Sequence, residues 1–266
     1  MIDSILSQLP QDHPWRSSIQ YFDSVDSTNT LAKAMAAAGA PSGTVLIANH
    51  QTGGRGRLGR SFHSPAGTGI YLSVILRPAC APDQLMHLTC AAAVAMCCAV
   101  EKAVGIRPGI KWTNDLVCGK RKLAGILTEL SVDPHTGLVS YAIVGIGINC
   151  TQQESDFPKS IRGFAGSLAM VSGQTIDRSS LAAEMIRELE KMDRQLLSGK
   201  QAVMDQYRAD CVTIGKDISL LRGEEVRHGH AVTVDECGAL VVRFLDGHCE
   251  AINSGEVSIR GMYGYI

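Results

Sequence analysis

The chain has 266 residues, 45% of them hydrophobic and 19% charged, with a net charge of −1. That is the composition of an ordinary soluble protein, long enough for one large domain or two of unequal size. It supplies no chain-wide positive field, so a nucleic acid or an anionic membrane would need a local basic patch.

The start, MIDSILSQLPQDHPW, carries Asp3, Pro10 and Asp12 and no cationic leader, so no signal peptide is expected. Asp26-Ser27 precedes TNTLAKAMAAAG, which predicts a helix with Leu31 and Met35 one turn apart and Gly39 as its stop. TVLIANH then reads as a strand, the glycine-rich stretch QTGGRGRLGR (51–60) follows, and GIYLSVIL is the next strand. Pro82-Asp83 predicts the start of a long helix reaching about Val104. The longest apolar run inside it, 90–100, falls short of the roughly 20 residues that span a bilayer.

IKW is a short strand, DLVC and KLAGILTELS predict a hairpin around Gly119-Lys120, and LVSYAIVGIGIN a long buried strand. Helices are expected over 179–197 and 202–210. From Cys211 the texture changes to five short β-rich runs: DISLL, AVTVDE, ALVVRFL, EAIN and EVSIRG. The expectation is a mixed α/β domain over 1–210 and a small all-β, barrel-like domain over 211–266. The nine cysteines form no C-x-x-C pair, which points to a reducing cytoplasm rather than a disulfide framework or a zinc site.

The stretch QTGGRGRLGR holds four glycines and three arginines, and GRGRLG within it spells G-x-G-x-x-G. A dinucleotide fingerprint needs a helix directly after the glycines, and Arg60-Ser61-Phe62-His63-Ser64-Pro65 is no helix of useful length. No Gly-Lys-Ser/Thr follows, so a Walker A loop is excluded as well. Two readings stay open for the loop itself. It is a solvated basic surface loop, or it is a mobile clamp whose backbone N–H groups and guanidinium forks order around an anion. A nucleic-acid surface is disfavoured because no stacking residues interleave with the arginines.

Two further clusters bear on this choice. Lys111-Trp112-Thr113-Asn114-Asp115 is either a structural turn or a device that sets an ammonium beside a reacting carboxylate or phosphate. Next, Lys122-Leu123-Ala124-Gly125-Ile126-Leu127-Thr128-Glu129 carries a mid-strand glycine of the kind that marks close ligand approach, and GIGIN (145–149) ends the long strand.

Taken in order, DSTN, QTGGRGRLGR, KWTNDL, KLAGILTE and GIGIN resemble the biotin protein ligases, also called biotin–[acetyl-CoA-carboxylase] ligases, from about Asp23 to Arg260. The resemblance implies an α/β catalytic domain of the biotin/lipoate ligase type, with a mixed sheet and helices, and a C-terminal SH3-like β-barrel. It implies that biotin and Mg-ATP give biotinyl-5′-AMP, and that the biotinyl group then passes to a lysine of a biotin carboxyl carrier protein. It implies that Ser27, Thr28 and Asn29 meet biotin, with Ser27 and Thr28 on the ureido ring, and that Gln51 touches the biotin end of the adenylate. It implies that Arg55, Gly56 and Arg57 wrap carboxyl and phosphate, that Lys111 stabilises the charge that builds there, and that Gly125 floors the biotin pocket. ATP would also meet Phe62, stacked on adenine, and Asn149, with Asn114 or Asp115 helping to hold magnesium.

On the structural side, Asp26 or Ser27 is expected to cap the helix. Thr113 stands where the family more often has proline, Arg60 is left unassigned, and the cysteines are given no catalytic role. About twenty residues precede the domain, too few for the helix-turn-helix module of the repressor members, so a cytoplasmic ligase without DNA or membrane binding is expected. Homodimerisation stays open. The rival readings are a lipoate or octanoate ligase or transferase of the same fold, whose RR-x-S/T-GGG signature is missing, and a non-catalytic anion- or nucleic-acid-binding module.

Overall fold

A computed structural model gives the fold, and it describes residues 1–253 and 258–261. A helix α1 (Ile2–Gln8) and a strand β1 (Ile19–Phe22) precede the first element expected from the sequence. Then come α2 (Thr28–Ala37), β2 (Thr44–Ala48) and β3 (Gly69–Leu76). The stretch from Pro82 is not one helix. A 3-10 turn, Pro82–Leu85, leads to α3 (Leu88–Val104), which ends at Gly105 with φ 79°. The break follows from the chain leaving αR geometry at His87, whose ψ is near zero.

Four antiparallel strands follow: β4 (Gly109–Lys111), β5 (Asp115–Cys118), β6 (Arg121–Val132) and β7 (Val139–Asn149). With the first three they form one mixed sheet in the order β1-β2-β3-β7-β6-β5-β4, in which only β1 and β2 are parallel. Strand periodicity sorts its residues onto two faces. Ile70, Leu72, Val74 and Leu76 of β3 join Ala142, Val144, Ile146 and Ile148 of β7 in the main core. The main core also takes in the apolar sides of α3 and α5 (Arg178–Gln195), which pack together. The opposite face is covered by α2 over one part only, through Ala32, Ala36, Leu46, Ile75 and Ile143. Where α2 stops, that face carries Ser73, Gly145, Gly147 and Gly125, and this is where the cleft lies.

The short α4 (Leu168–Ser172) runs between Ser167 and Gly173, and α6 (Lys200–Asp210) closes the first unit. By length and composition Pro82–Val104 is apolar enough to cross a membrane, which the shorter run read from the sequence does not suggest; most of it is buried within the protein. The C-terminal runs form an antiparallel sheet of β8 (Asp217–Arg222), β9 (Glu225–Val234), β10 (Leu240–Phe244), β11 (Cys249–Ile252) and β12 (Ser258–Gly261). Their order is β11-β10-β9-β8-β12. The start of the run EVSIRG, at Glu256 and Val257, lies outside the described residues. This small β unit is tied to the larger sheet at the KWTND segment. Trp112 Nε1 donates to Gly238 O at 2.9 Å, and the Trp112 amide donates to Thr213 Oγ1 at 3.0 Å. All nine cysteines are free thiols.

Candidate active site

The cleft encloses about 800 Å³ over the uncovered part of the sheet. All thirteen residues singled out from the sequence line it: Ser27, Thr28, Asn29 and Gln51; Arg55, Gly56, Arg57 and Phe62; Lys111, Asn114, Asp115, Gly125 and Asn149. Their arrangement divides into a neutral side over β3 and β7 and a charged side over β5 and β6.

On the neutral side, α2 begins at Ser27, but the Ser27 side chain makes no capping bond. The expected cap is corrected in its chemistry. Gln51 Oε1, from the loop after β2, accepts the Thr28 amide at 2.8 Å and the Thr28 hydroxyl at 3.1 Å, while Asp26 Oδ1 accepts the Ser27 amide. The first exposed N–H groups of the helix are therefore satisfied from outside the helix. Gln51 Nε2 donates to Ser64 Oγ at 2.9 Å, and Ser64 donates on to the Phe62 carbonyl at 2.9 Å. Asn29 turns away from the cleft opening. Its Nδ2 donates to Glu129 Oε2 at 3.0 Å, and Glu129 also pairs with Lys33 at 2.9 Å.

Burial pushes the Glu129 carboxyl up, but the Lys33 and Asn29 hydrogen bonds and the Lys33 and Arg55 charges outweigh it and hold the group below its ordinary value.

The floor is made of glycine. Residues 145 and 147 share one face of β7, and Gly147 pairs with Gly125 across the strands. A Cβ at Gly147 would lie 2.5 Å from the Phe62 ring, and one at Gly125 would lie 3.4 Å from it. Phe62 thus rests on the floor of the pocket, where its expected place is over a nucleotide base. The glycines leave room for that ring without filling the cleft.

The charged side is built around the glycine-arginine loop. Gly56 N donates to Arg60 O at 2.7 Å and Phe62 N to Gly54 O at 2.9 Å, so the loop closes as a hairpin with a single 3-10 turn, Arg57–Gly59. The loop is thus held by its own backbone bonds, whereas three arginines drawn together with no counter-charge would favour disorder. Arg57 instead reaches the turn before β5, where Nη1 donates to Asn114 Oδ1 at 3.0 Å. Burial lowers the Arg57 guanidinium from its ordinary value, and the nearby Asp115 charge opposes that shift. Lys111 is buried at the end of β4 with 6% exposure. A buried ammonium facing a cleft favours an anion there.

Asn114 and Asp115, the expected metal holders, are both engaged with neighbouring groups of the protein. Asn114 Nδ2 donates to Ile126 O at 2.8 Å while its Oδ1 takes Arg57, and Asp115 Oδ1 is 2.6 Å from Lys122 Nζ. Among the described residues no three His, Cys, Asp or Glu side chains converge to hold a cation. Asn149 lines the cleft with its Nδ2 donating to Gly166 O at 2.9 Å, which braces the segment after β7.

Sequence reasoning noted Lys122 only as the first residue of its cluster, without a role, and passed over Ser73 and the 157–166 segment. Lys122 points into the cleft because β6 bulges: Val117 pairs with Lys122 but Leu116 pairs with Ala124, so Leu123 is the extra residue. Strict alternation would set Lys122 and Gly125 on opposite faces, and the bulge brings both to one. Phe157, Ile161 and Phe164 form a wall from an irregular stretch with no periodicity to read. Ile259 of β12 also reaches the cleft.

Residues 21–149 match the biotin/lipoate A/B protein ligase family, and residues 213–260 match the biotin protein ligase C-terminal domain. The biotin–[acetyl-CoA-carboxylase] ligase of Mycobacterium tuberculosis is 34% identical over 237 residues, covering 87% of this chain and 85% of that protein. The bifunctional ligase/repressor BirA of Bacillus subtilis is 35% identical over 228 residues, covering 85% of this chain and 70% of that protein. Among solved structures, the biotin protein ligase of Aquifex aeolicus in complex with biotin and ATP superimposes with a TM-score of 0.77 at 29% identity. It covers 92% of this chain and 99% of that one.

Proposed function

The chain belongs to the biotin protein ligases, and from that premise we propose how its cleft divides the work. The enzyme joins biotin to protein in two steps. The biotin carboxylate attacks the α-phosphorus of ATP and expels pyrophosphate, leaving biotinyl-5′-AMP. A lysine amine of a biotin carboxyl carrier protein then attacks the acyl carbon, and AMP leaves. The named relatives are ligases of biotin, which favours this substrate over lipoate.

The observation that carries the assignment of residues is the meeting of a neutral hydrogen-bonding corner and a cationic wall in one cleft. Ser27, Thr28 and Gln51 hold the ureido end of biotin, with Gly125 beneath the ring. Lys111, Arg57 and Arg55 gather at the carboxyl and α-phosphate, where negative charge grows in the transition state. Gly56 lets the loop backbone approach the phosphate. Lys122 joins this group by its place beside Gly125. Asn149 faces the nucleotide, and Phe62 covers the adenine by lifting from the glycine floor. Arg57, already drawn to Asn114, is the arm by which the loop closes and keeps water from the acyl-adenylate. Magnesium would enter with ATP and would add positive charge beside the arginines and Lys111.

The proposed units are a catalytic domain over 1–210 and a C-terminal domain over 211–266. Free thiols throughout suit a reducing cytoplasm. The reading includes no operator binding and leaves self-association to sedimentation.

The test is to incubate the chain with ATP, biotin and a carboxylase carrier domain, then weigh the carrier. One biotin of added mass, cut by roughly 100-fold or more in rate by Lys111→Ala, is expected. A carrier labelled with lipoate alone, or left unlabelled though another ligase biotinylates it, overturns the reading.

A further inference from the structure

The charged side of the cleft brings an amine of the enzyme itself to the place where the acyl group is activated. Asp115 is the cross-strand partner of Lys111 on one side and of Gly125 on the other. The bulge at Leu123 turns the Lys122 side chain to the face that Gly125 floors, and a Cβ at Gly125 would lie 3.5 Å from Lys122 Nζ. With biotin seated over Gly125, Nζ stands at the edge of the space that the acyl group fills. Lys122 Nζ donates to Asp115 Oδ1 at 2.6 Å, and the two side chains are only 24% and 16% exposed. This is a short, charge-assisted bond in a place largely closed to solvent.

An amine so placed is a hazard to this enzyme. Biotinyl-5′-AMP is an acylating agent, and a well-aligned nucleophile beside it reacts as though at an effective concentration of roughly 10⁵ M or more. No carrier protein in solution competes with that. We propose that Lys122 is an internal acceptor for biotin and that Asp115 restrains it, holding Nζ as a hydrogen-bonded ammonium. This rests on the biotin reading and adds to it a modification site and the residue that guards it. An ammonium has no electron pair with which to attack. To accept biotin, Nζ must leave Asp115 and give up one proton, after which its electron pair forms the bond to the acyl carbon. The bond from that carbon to the phosphate oxygen breaks, AMP departs with those electrons, and a second proton passes to water. The product is a stable amide that fills the cleft, so each such event ends the activity of one enzyme molecule.

The test uses the full-length chain with synthetic biotinyl-5′-AMP and no carrier, so that a variant slow in making the adenylate is still challenged with it. Peptides are then mapped by mass for one added biotin. Asp115→Asn keeps the shape and an oxygen for Lys122 but loses the charge, and charge-assisted bonds are about twice as strong as neutral ones. Asp115→Glu keeps a carboxylate. The unliganded chains are also treated with trace acetic anhydride, and acetylation of Lys122 is read against that of the exposed Lys159. That second measurement needs no bound adenylate.

In Asp115→Asn, biotin on Lys122 should accumulate about tenfold or more faster than in wild type, and its acetylation relative to Lys159 should rise by a similar factor. Asp115→Glu should stay close to wild type in both. Lys122→Arg in the Asp115→Asn background should remove the gain, since a guanidinium keeps its proton and does not accept biotin. An unchanged acetylation ratio in Asp115→Asn overturns the proposal whether or not that variant holds the adenylate. Biotin collecting on Lys111 or Lys159 in preference to Lys122 overturns it too, as does a rise in acetylation with no biotin on Lys122. Failure of the wild type to make any biotinyl-adenylate from biotin and ATP is a different result, since it removes the biotin reading itself.

Discussion

Asn29 occupies the space in front of Gly145: a Cβ at Gly145 would lie 1.8 Å from Asn29 Oδ1 and 2.6 Å from its Cγ. Both residues are closely packed, and Asn29 is held on the far side by Glu129. Gly145→Ala must therefore push Asn29 off Ser73 or shift β7, which pairs on both sides. The expected loss is about 1–3 kcal/mol in denaturant unfolding, with biotin KM raised about tenfold. Gly125→Ala meets its nearest atoms at 3.4 and 3.5 Å, two of them at the end of a flexible lysine, so its unfolding free energy should move by about 0.5 kcal/mol or less. Equal destabilisation by the two alanines would contradict the packing described.

The glycine-arginine loop is anchored to the body of the enzyme by Arg57 on Asn114, a contact between residues 57 apart in sequence. Asn114 in turn is bonded to both backbone groups of Ile126, through its side-chain nitrogen and its carbonyl. Asn114→Ala should release the loop and lower kcat/KM for ATP by roughly 10- to 100-fold in pyrophosphate exchange. Because both residues serve one contact, Arg57→Ala in that background should cost less than it does alone, with a coupling of about 0.5–3 kcal/mol. Additive losses would mean that Arg57 acts independently of Asn114.

The Trp112 indole bridges the two units, donating to Gly238 O from the strand connection that follows Lys111. Trp112 is 4% exposed, so Trp112→Phe leaves the Gly238 carbonyl without that donor in a dry place. A destabilisation of about 1–3 kcal/mol is expected in thermal or denaturant unfolding. If the tie also fixes Lys111, kcat should fall more than KM rises. A variant as stable as wild type would show that the indole bond is replaced by water.

Much of this molecule was legible because its periodicities are simple. Alternation on β3 and β7 marks the core face, and the same alternation puts Gly145, Gly147 and Asn149 together on the other face, so the motif residues converge where expected. The five C-terminal runs emerged as five strands for the same reason. What escaped was set by tertiary contacts. The bulge at Leu123 reverses the facing of Lys122, and nothing in KLAGILTE announces an extra residue. Ser73 looks like a polar interruption in a core strand until α2 lays Thr28 and Asn29 over it. The cap on α2 comes from Gln51, twenty-three residues from the amide it receives, and no local signature encodes that. Elements as short as α4, with five residues, carry too little pattern to be read.

Glu129 also leaves a mark on stability. Its ordinary value is near 4.5, and in the folded chain it lies lower, since the Lys33 and Asn29 bonds overcome the opposing effect of burial. A carboxyl depressed by folding stabilises the native state above its ordinary value, and that contribution is lost as pH falls through the lower folded value. Glu129→Gln removes the charge and its titration. The melting temperature of wild type should therefore exceed that of Glu129→Gln near neutrality, and the gap should hold down to the ordinary carboxylate value and close as pH is taken from there to below about 4.5. With 39% and 25% of the two side chains exposed, screening keeps the increment to about 1 kcal/mol or less, and added salt should narrow the gap at neutral pH. The Asn29 bond survives in part with glutamine, whose oxygen still accepts, so the pH-dependent portion isolates the charge. A gap that stays constant across that range would show that the Glu129 charge gains nothing from Lys33, and that the carboxylate serves Asn29 alone.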